Sequence, residues 1–345
     1  MTTVLVTGGS GYFGSLLARQ LVARGDTVRV FDLNPTDDPE VELVQGDIRD
    51  VAAVEAACRG VDVVYHNVAQ VPLARDHALF DSVNRTGTLT MLEAARRQGV
   101  GKVVSTSSSA IYGVPRVNPV TELTPPSPGE SYGAAKLAGE QLCREYAANG
   151  LDVSIVRPRT ILGFGRLGIF QILFEWIREG SNVPVLGAGD NVYQFVHADD
   201  LAAACILAGN RPGVRSGVDD FNCGAAEFGS MRSVLEHLCA HAGTGSKVRS
   251  VPMRAAVAGM NATSAIGVSP LGAYHALMYG RSMYFDITKA QTLLGWQPEY
   301  SNEQMFVDSY EWYLAHRDQV LAARGQSAHR SAVKQGILSA VKRLL

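Results

Sequence analysis

Apolar residues in this chain come in two kinds of stretch that take turns. Short continuous runs rich in valine stand at Val4–Val6, residues 27–31, 41–44, 62–66 and 102–106. Between them lie segments with helical periodicity, at residues 12–24, 51–58, 78–98 and 130–148. Runs that are apolar throughout, rather than alternating, predict strands buried on both faces, and strands separated by helices predict a parallel sheet with helices on both sides. The expected fold class is therefore α/β, a doubly wound sheet. In the 78–98 helix the spacing puts Val83, Leu89, Leu92 and Ala95 on the buried side, with Asn84 facing water or nearby backbone.

The first strand breaks into Thr7-Gly8-Gly9-Ser10-Gly11-Tyr12-Phe13-Gly14 before the first helix. Gly8, Gly11 and Gly14 stand three apart between strand and helix, where a turn without side chains lets a pyrophosphate approach the backbone and rest on the helix N-terminus. The second strand ends at Asp32, an acidic residue about 20 positions past the glycines that can accept ribose hydroxyls. Leu33, Asn34 and Pro35 follow, with no cation to meet a 2′-phosphate, so NAD is expected over NADP. After the third strand, Asp47 either meets the adenine amino group, with Ile48 on the ring, or serves as an acid at the start of the 51–58 helix. The fourth strand opens into Asn67-Val68-Ala69-Gln70, beside the cofactor if ligands sit at the carboxyl ends of the strands; His66 reads as packing.

Composition narrows the function classes. With 345 residues, 46% hydrophobic and a net charge of −2, the chain has room for a dinucleotide domain plus substrate-binding structure, and no basic excess for nucleic acid. A small-molecule substrate is expected. Five scattered cysteines do not make a disulfide framework, which points to a reducing cytoplasmic setting. No apolar run reaches the roughly 18 residues of a membrane span. His237, Cys239 and His241 do not form a metal site, because the cysteine leaves the face that the two histidines share.

The fifth strand runs into Ser107-Ser108-Ser109, and after a loop with five prolines the 130–148 helix presents Tyr132 and Lys136. Spaced i and i+4, both project from one face. A free phenol with a pKa near 10 is ionised in only about one molecule in a thousand at pH 7. A neighbouring ammonium favours the phenolate, which can take a hydroxyl proton while hydride leaves for a cofactor.

Together these features resemble the extended short-chain dehydrogenases/reductases of the NAD-dependent epimerase/dehydratase superfamily. The likeness runs from Met1 to about Leu314 and includes Gly46-Asp47-Ile48, Asn84-x-x-Gly87-Thr88, Tyr112-Gly113, Arg157-Pro158, Phe195-Val196-His197-x-Asp199-Asp200-Leu201-Ala202 and Leu294-Gly295-Trp296-x-Pro298. The resemblance implies Ser108, Tyr132 and Lys136 as the catalytic residues. It implies cofactor contacts from Gly8, Gly11, Tyr12, Phe13, Gly14, Asp32, Asp47, Ile48, Val68, Ala69, Gln70, Asn84, Tyr132, Lys136 and Pro158. Substrate contacts would come from Gln70, Ser108, Ser109, Tyr132, Thr160, Gln194 and Arg281. A Rossmann-type domain is expected over 1–160 and 192–224, with 151–156 as a sixth strand. A discontinuous substrate domain would occupy 161–191 and 225–316, and a homodimer is the expected assembly.

Related dehydratases carry an Asp-Glu pair after the catalytic threonine; Ser109 and Ala110 stand there instead, which disfavours dehydration and resembles the UDP-galactose 4-epimerases. Many such epimerases have an arginine at the position of Tyr193, so Arg281 or Arg166 would have to supply the phosphate contact. No charged residue lies between Arg254 and Arg281, which keeps open a dehydrogenase of lipophilic alcohols resembling the 3β-hydroxysteroid dehydrogenases. A non-catalytic NAD sensor is a third possibility, disfavoured by the complete Ser-Tyr-Lys set. From Gln319 onward the tail over 317–345 has no acid and five basic residues, with an apolar stripe after Gly336. It reads as a docked helix or as a segment in peripheral contact with anionic membrane.

Overall fold

A computed structural model describes residues 2–69, 81–166, 169–213, 217–254, 258 and 280–322. Gln70, nearly all of the charge-free stretch and the tail beyond Ala322 lie outside the described residues. In chain order the elements are β1 (Thr3–Thr7), α1 (Tyr12–Ala23), β2 (Thr27–Asp32), β3 (Glu42–Gln45), α2 (Val51–Cys58), β4 (Val63–His66), α3 (Gly87–Gln98), β5 (Lys102–Thr106), α4 (Ser131–Ala148) and β6 (Val153–Pro158). There follow β7 (Thr160–Leu162), α5 (Ile169–Arg178), β8 (Val183–Leu186), β9 (Val192–Tyr193), β10 (Phe195–His197), α6 (Ala198–Asn210), β11 (Asp219–Cys223), β12 (Gly229–Ser230), α7 (Met231–Ala242), β13 (Val248–Val251), α8 (Thr288–Leu294) and α9 (Asn302–Ala322).

Seven strands form one parallel sheet in the order β11-β6-β5-β4-β1-β2-β3. The apolar runs are continuous because each central strand feeds two cores. In β1, Val4 and Val6 pack with Leu17 and Leu21 of α1 and Leu201 of α6. Leu5 points the other way, into Val54 of α2 and Leu92 of α3. Fully burying such a side chain is worth roughly 1.5–3 kcal/mol. A third core forms a smaller second domain: Phe170, Phe174 and Trp176 of α5 meet Leu235 and Leu238 of α7 and Phe306, Tyr310 and Tyr313 of α9. The expected tail boundary at residue 317 falls inside α9, where Arg317 pairs with Glu175 of α5 at 2.6 Å.

One expectation fails in α3. Leu89 is 41% exposed, whereas Val83, Leu92 and Ala95 are buried. A π-helical turn over Ser82–Thr86 precedes α3, so the helical phase changes there, and Leu89 shares the outer face with Glu93, Arg96 and Arg97. Among the described residues no helix is long and apolar enough to cross a membrane.

Candidate active site

The glycine turn is shaped by close backbone approach. Gly8 has φ +72°, in the left-handed region that favours glycine, and a Cβ at Gly14 would stand 2.1 Å from the Gly8 carbonyl oxygen. No side chain caps α1, whose N-terminus follows directly at Gly11. Asp32 accepts hydrogen bonds from the backbone N–H of Ser10 (3.2 Å) and of Asn34 (2.9 Å), which fixes its carboxylate at the rim of the turn with acceptor capacity left over. A helix start without a side-chain cap beside an anchored acid fits a dinucleotide, with pyrophosphate on the turn and ribose on Asp32.

Around this turn the other expected cofactor residues divide. Val68 follows β4 directly against Gly8, whose added Cβ would meet the Val68 nitrogen at 3.1 Å, with Ala69 next in the chain. Tyr12 is buried under the Arg166 guanidinium, 5.4 Å from its ring, while Phe13 packs partly buried against the main core. Pro158 ends β6 and is buried. Asn84 does not face water: it is buried in the π turn, and its carbonyl accepts from the Thr88 hydroxyl at 2.7 Å. Asp47 is engaged by the Arg49 guanidinium (Nε at 2.9 Å), which holds its carboxyl below the usual range. The acid that caps α2 is instead Asp50, accepting from the N–H groups of Ala52 and Ala53. Ile48 is buried beside Gly87.

His66 is a brace. Its Nδ1 lies 2.8 Å from the Thr7 hydroxyl and its Nε2 3.1 Å from that of Thr88. The Thr88 proton already goes to the Asn84 carbonyl, so Nε2–H donates and Nδ1 accepts. Burial, with the charge of Lys136, pushes His66 down to about 3 and keeps it neutral.

Three consecutive serines after β5 turn to three different partners. Ser107 donates to Glu140 Oε1 at 2.6 Å. Ser108 is half-buried, accepts from the Ala110 N–H at 3.2 Å, and shares a hydrogen bond with Tyr132. Ser109 accepts from Arg159 Nη1 at 2.8 Å. Tyr132 is held there from two sides. The Glu130 carboxylate caps α4 by accepting from the N–H groups of Tyr132 and Gly133, both at 2.7 Å, and Gly133 lets α4 touch the serine turn, since a Cβ there would lie 2.3 Å from the Ala110 oxygen. Lys136, one turn on, donates to the Thr106 carbonyl at 2.8 Å.

Burial raises the Tyr132 pKa; the hydrogen bond with Ser108 and the charge of Arg166 oppose it. Burial also pulls Lys136 down to about 8. In the free protein the phenol is thus kept protonated, and Arg166 is a cation acting on it that the i, i+4 spacing did not suggest.

Two buried arginines flank Pro158. Arg157 gives Nε and Nη2 to Glu140 (2.8 and 2.7 Å), Nη2 also to Asp220 (3.0 Å), and Nη1 to the Tyr112 hydroxyl (2.9 Å). Burial works against its charge, but Glu140, Tyr112 and Asp220 together outweigh burial and raise its pKa. Arg159 is 1% exposed, lies 4.6 Å over the Tyr193 ring and 5.7 Å over that of Phe285, and leaves Nε and Nη2 without hydrogen-bond partners. Sequence reasoning missed Arg159, Glu140 and Asp220. The only signal for Arg159 was a second arginine immediately after the Arg157-Pro158 pair.

The expected substrate residues are not all brought together. Thr160 hydrogen-bonds the Tyr193 hydroxyl at 2.9 Å, next to Arg159. Gln194 is fully buried with both ends committed: Nε2 donates to the Ala225 carbonyl (2.7 Å), and Oε1 accepts from the Phe285 N–H (2.8 Å). Its amide fastens two loops and has no free end for substrate. Arg281 is exposed, its carbonyl 3.5 Å from the Asn191 side chain. His237 and His241 lie on the outer face of α7, opposite Glu303 and Glu311 of α9, while Cys239 is buried.

Fold and site together define an NAD-dependent enzyme built on a Rossmann-type sheet. Residues 4–224 match the NAD dependent epimerase/dehydratase family, and the chain belongs to it. Its cofactor is NAD. The uncharacterized protein y4nG of Sinorhizobium fredii is 54% identical over 340 residues, 98% of this chain and 85% of that one. A UDP-glucose 4-epimerase of Mycolicibacterium smegmatis is 30% identical, covering 90% of this chain and 97% of its own. A 3 beta-hydroxysteroid dehydrogenase/Delta 5-->4-isomerase of Mycobacterium tuberculosis is also 30% identical, covering 92% of each chain. The solved structure of a Thermotoga maritima UDP-glucose 4-epimerase with UDP-glucose superposes with a TM-score of 0.77 at 25% identity, covering 92% of this chain and all of that one.

Proposed function

We propose that this chain is an NAD-dependent epimerase that inverts a secondary hydroxyl of a nucleotide sugar. The observation that carries the reading is the hydrogen bond between Ser108 and Tyr132 at the carboxyl edge of the sheet, flanked by Ser109 and Ala110 where a dehydratase would need carboxylates. NAD, held by the glycine turn, Asp32 and Lys136, would supply positive charge beside the phenol and a reversible hydride acceptor for the carbinol carbon. Tyr132 Oη takes the hydroxyl proton and later gives it back. Ser108 hydrogen-bonds the same oxygen and keeps it aligned through both halves. Lys136, fixed by the Thr106 carbonyl one turn away, holds the ribose and adds its charge to the phenolate environment. Asp32 with no cation after it supports NAD over NADP.

A second reading rests on Tyr193. It stands where many epimerases carry an arginine for substrate phosphate, and its hydroxyl is bonded to Thr160. A dehydrogenase of a lipophilic secondary alcohol needs no such arginine, and the Mycobacterium tuberculosis relative supports this reading as far as the Mycolicibacterium smegmatis one supports the first. One assay separates them. The purified holoenzyme is incubated with UDP-, CDP- and dTDP-hexoses and with 3β-hydroxysteroids. An epimeric sugar formed without net NADH is the expected result; stoichiometric NADH with a steroid, and no epimer from any sugar, would overturn the first reading.

A further inference from the structure

The polar group that the active site leaves unused is the Arg159 guanidinium. Its five N–H donors form a rigid fork, and only Nη1 has a partner, the Ser109 hydroxyl. Nε and Nη2 are buried and unpartnered, and among the described residues no carboxylate forms an ion pair with this cation. Those two nitrogens make up the side-on edge of a guanidinium, whose parallel N–H groups match the two oxygens of a carboxylate. Stacking on Tyr193 and Phe285 offsets part of the cost of burying the charge but satisfies neither N–H. Arg157, two residues earlier, shows what the fold does when an arginine is purely structural: all three of its nitrogens are bonded.

We propose that Arg159 is a specificity-determining residue that binds a carboxylate on the substrate, close to the reacting carbinol. The position follows from the serines: Ser109, which holds Arg159, is adjacent to Ser108, which bonds Tyr132. It rests on the reading that Ser108 and Tyr132 handle the reacting hydroxyl. A planar carboxylate can meet that edge with both oxygens in the guanidinium plane. A phosphate would carry further charged oxygens against the aromatic walls, where Arg159 is the single described cation in contact. The substrate class is a hydroxy acid, a sugar acid under the nucleotide-sugar reading.

Calorimetry on NAD-loaded protein tests this with two matched pairs: UDP-glucuronate against UDP-glucose, and a 3β-hydroxysteroid carboxylic acid against its neutral primary alcohol. Within whichever pair binds, the acid should bind at least tenfold more tightly than the neutral partner. Arg159→Gln should abolish the preference and Arg159→Lys should retain part of it. Which scaffold binds judges the proposed function; the acid-to-neutral ratio judges Arg159. Equal affinities in the wild type, or a preference that survives Arg159→Gln, would overturn the assignment. If neither scaffold binds, acetate titrated into arginine-labelled protein should still shift the Arg159 Nε–H resonance to saturation, with chloride as control. No shift, or an equal shift with inorganic phosphate, would also overturn it.

Discussion

Arg157 and Arg159 leave the end of β6 two residues apart, both buried, and enter opposite surroundings. Around Arg157 everything is matched: Glu140 and Asp220 take its charge, Asp220 also receives Lys289 and Arg144 at 2.8 and 2.7 Å, and Tyr112 passes the network on to Asn222 at 3.0 Å. Around Arg159 the walls are aromatic and two of the three guanidinium nitrogens are idle. The difference separates support from recognition. A saturated network ties α4, β6 and β11 into one rigid bed for Ser107, and so for Ser108 beside it, but has nothing left to offer a ligand. An unsaturated cation is costly to the empty fold and is retained where a ligand completes it.

The largest effect should come from breaking the matched side. Glu140→Ala leaves the Arg157 guanidinium buried with one carboxylate fewer and should cost about 3–5 kcal/mol in urea unfolding. A loss below about 1 kcal/mol would mean that Asp220 alone suffices, and the contrast would not stand. Next, Tyr132→Phe keeps the ring in its place against Ser108 but removes the proton acceptor. Turnover should fall at least a hundredfold, about 2.7 kcal/mol of barrier, with NAD affinity nearly unchanged. Retained activity would show that the serine turn does not serve Tyr132.

A smaller effect per residue is expected from two buried histidines outside both arginine sites. His66 beneath the sheet edge and His197, stacked on Tyr300, are pushed by burial to about 3 and about 4. Unfolded, each titrates near 6.5, so as pH falls below that value the unfolded chain takes up protons that the fold refuses. Stability is full above pH 6.5 and is lost as acid is added, by up to about 1.4 kcal/mol per pH unit for each histidine. Urea midpoints between pH 7 and 5 measure the slope, and His66→Asn should flatten it; an unchanged slope would mean that another group carries it. The smallest effect is expected on the open side. Arg159→Met removes an unsatisfied cation in favour of an apolar chain and should change stability by less than about 1 kcal/mol, or raise it. A loss as large as that of Glu140→Ala would show that Arg159 is structural after all.

What the sequence determined by itself is what lies within a few consecutive residues. Continuous valine runs marked the strands, and α2 and α4 fall within one residue of their expected bounds. The glycine turn, Asp32 and the Tyr132–Lys136 spacing were legible for the same reason: each needs only the geometry of one strand, turn or helix. Tertiary structure decided the rest. Ser107, Ser108 and Ser109 are chemically identical, yet their partners stand 33, 24 and 50 residues away, on α4, at Tyr132 and after β6. Gln194 looked free until the fold brought Ala225 and Phe285 to its two ends, and Leu89 looked buried until a π turn changed the phase of its helix. Nothing in the spacing of Arg157 and Arg159 separates them. Periodicity records which face a residue takes, whereas a polar side chain's role depends on the group opposite, and that group is delivered by strand order.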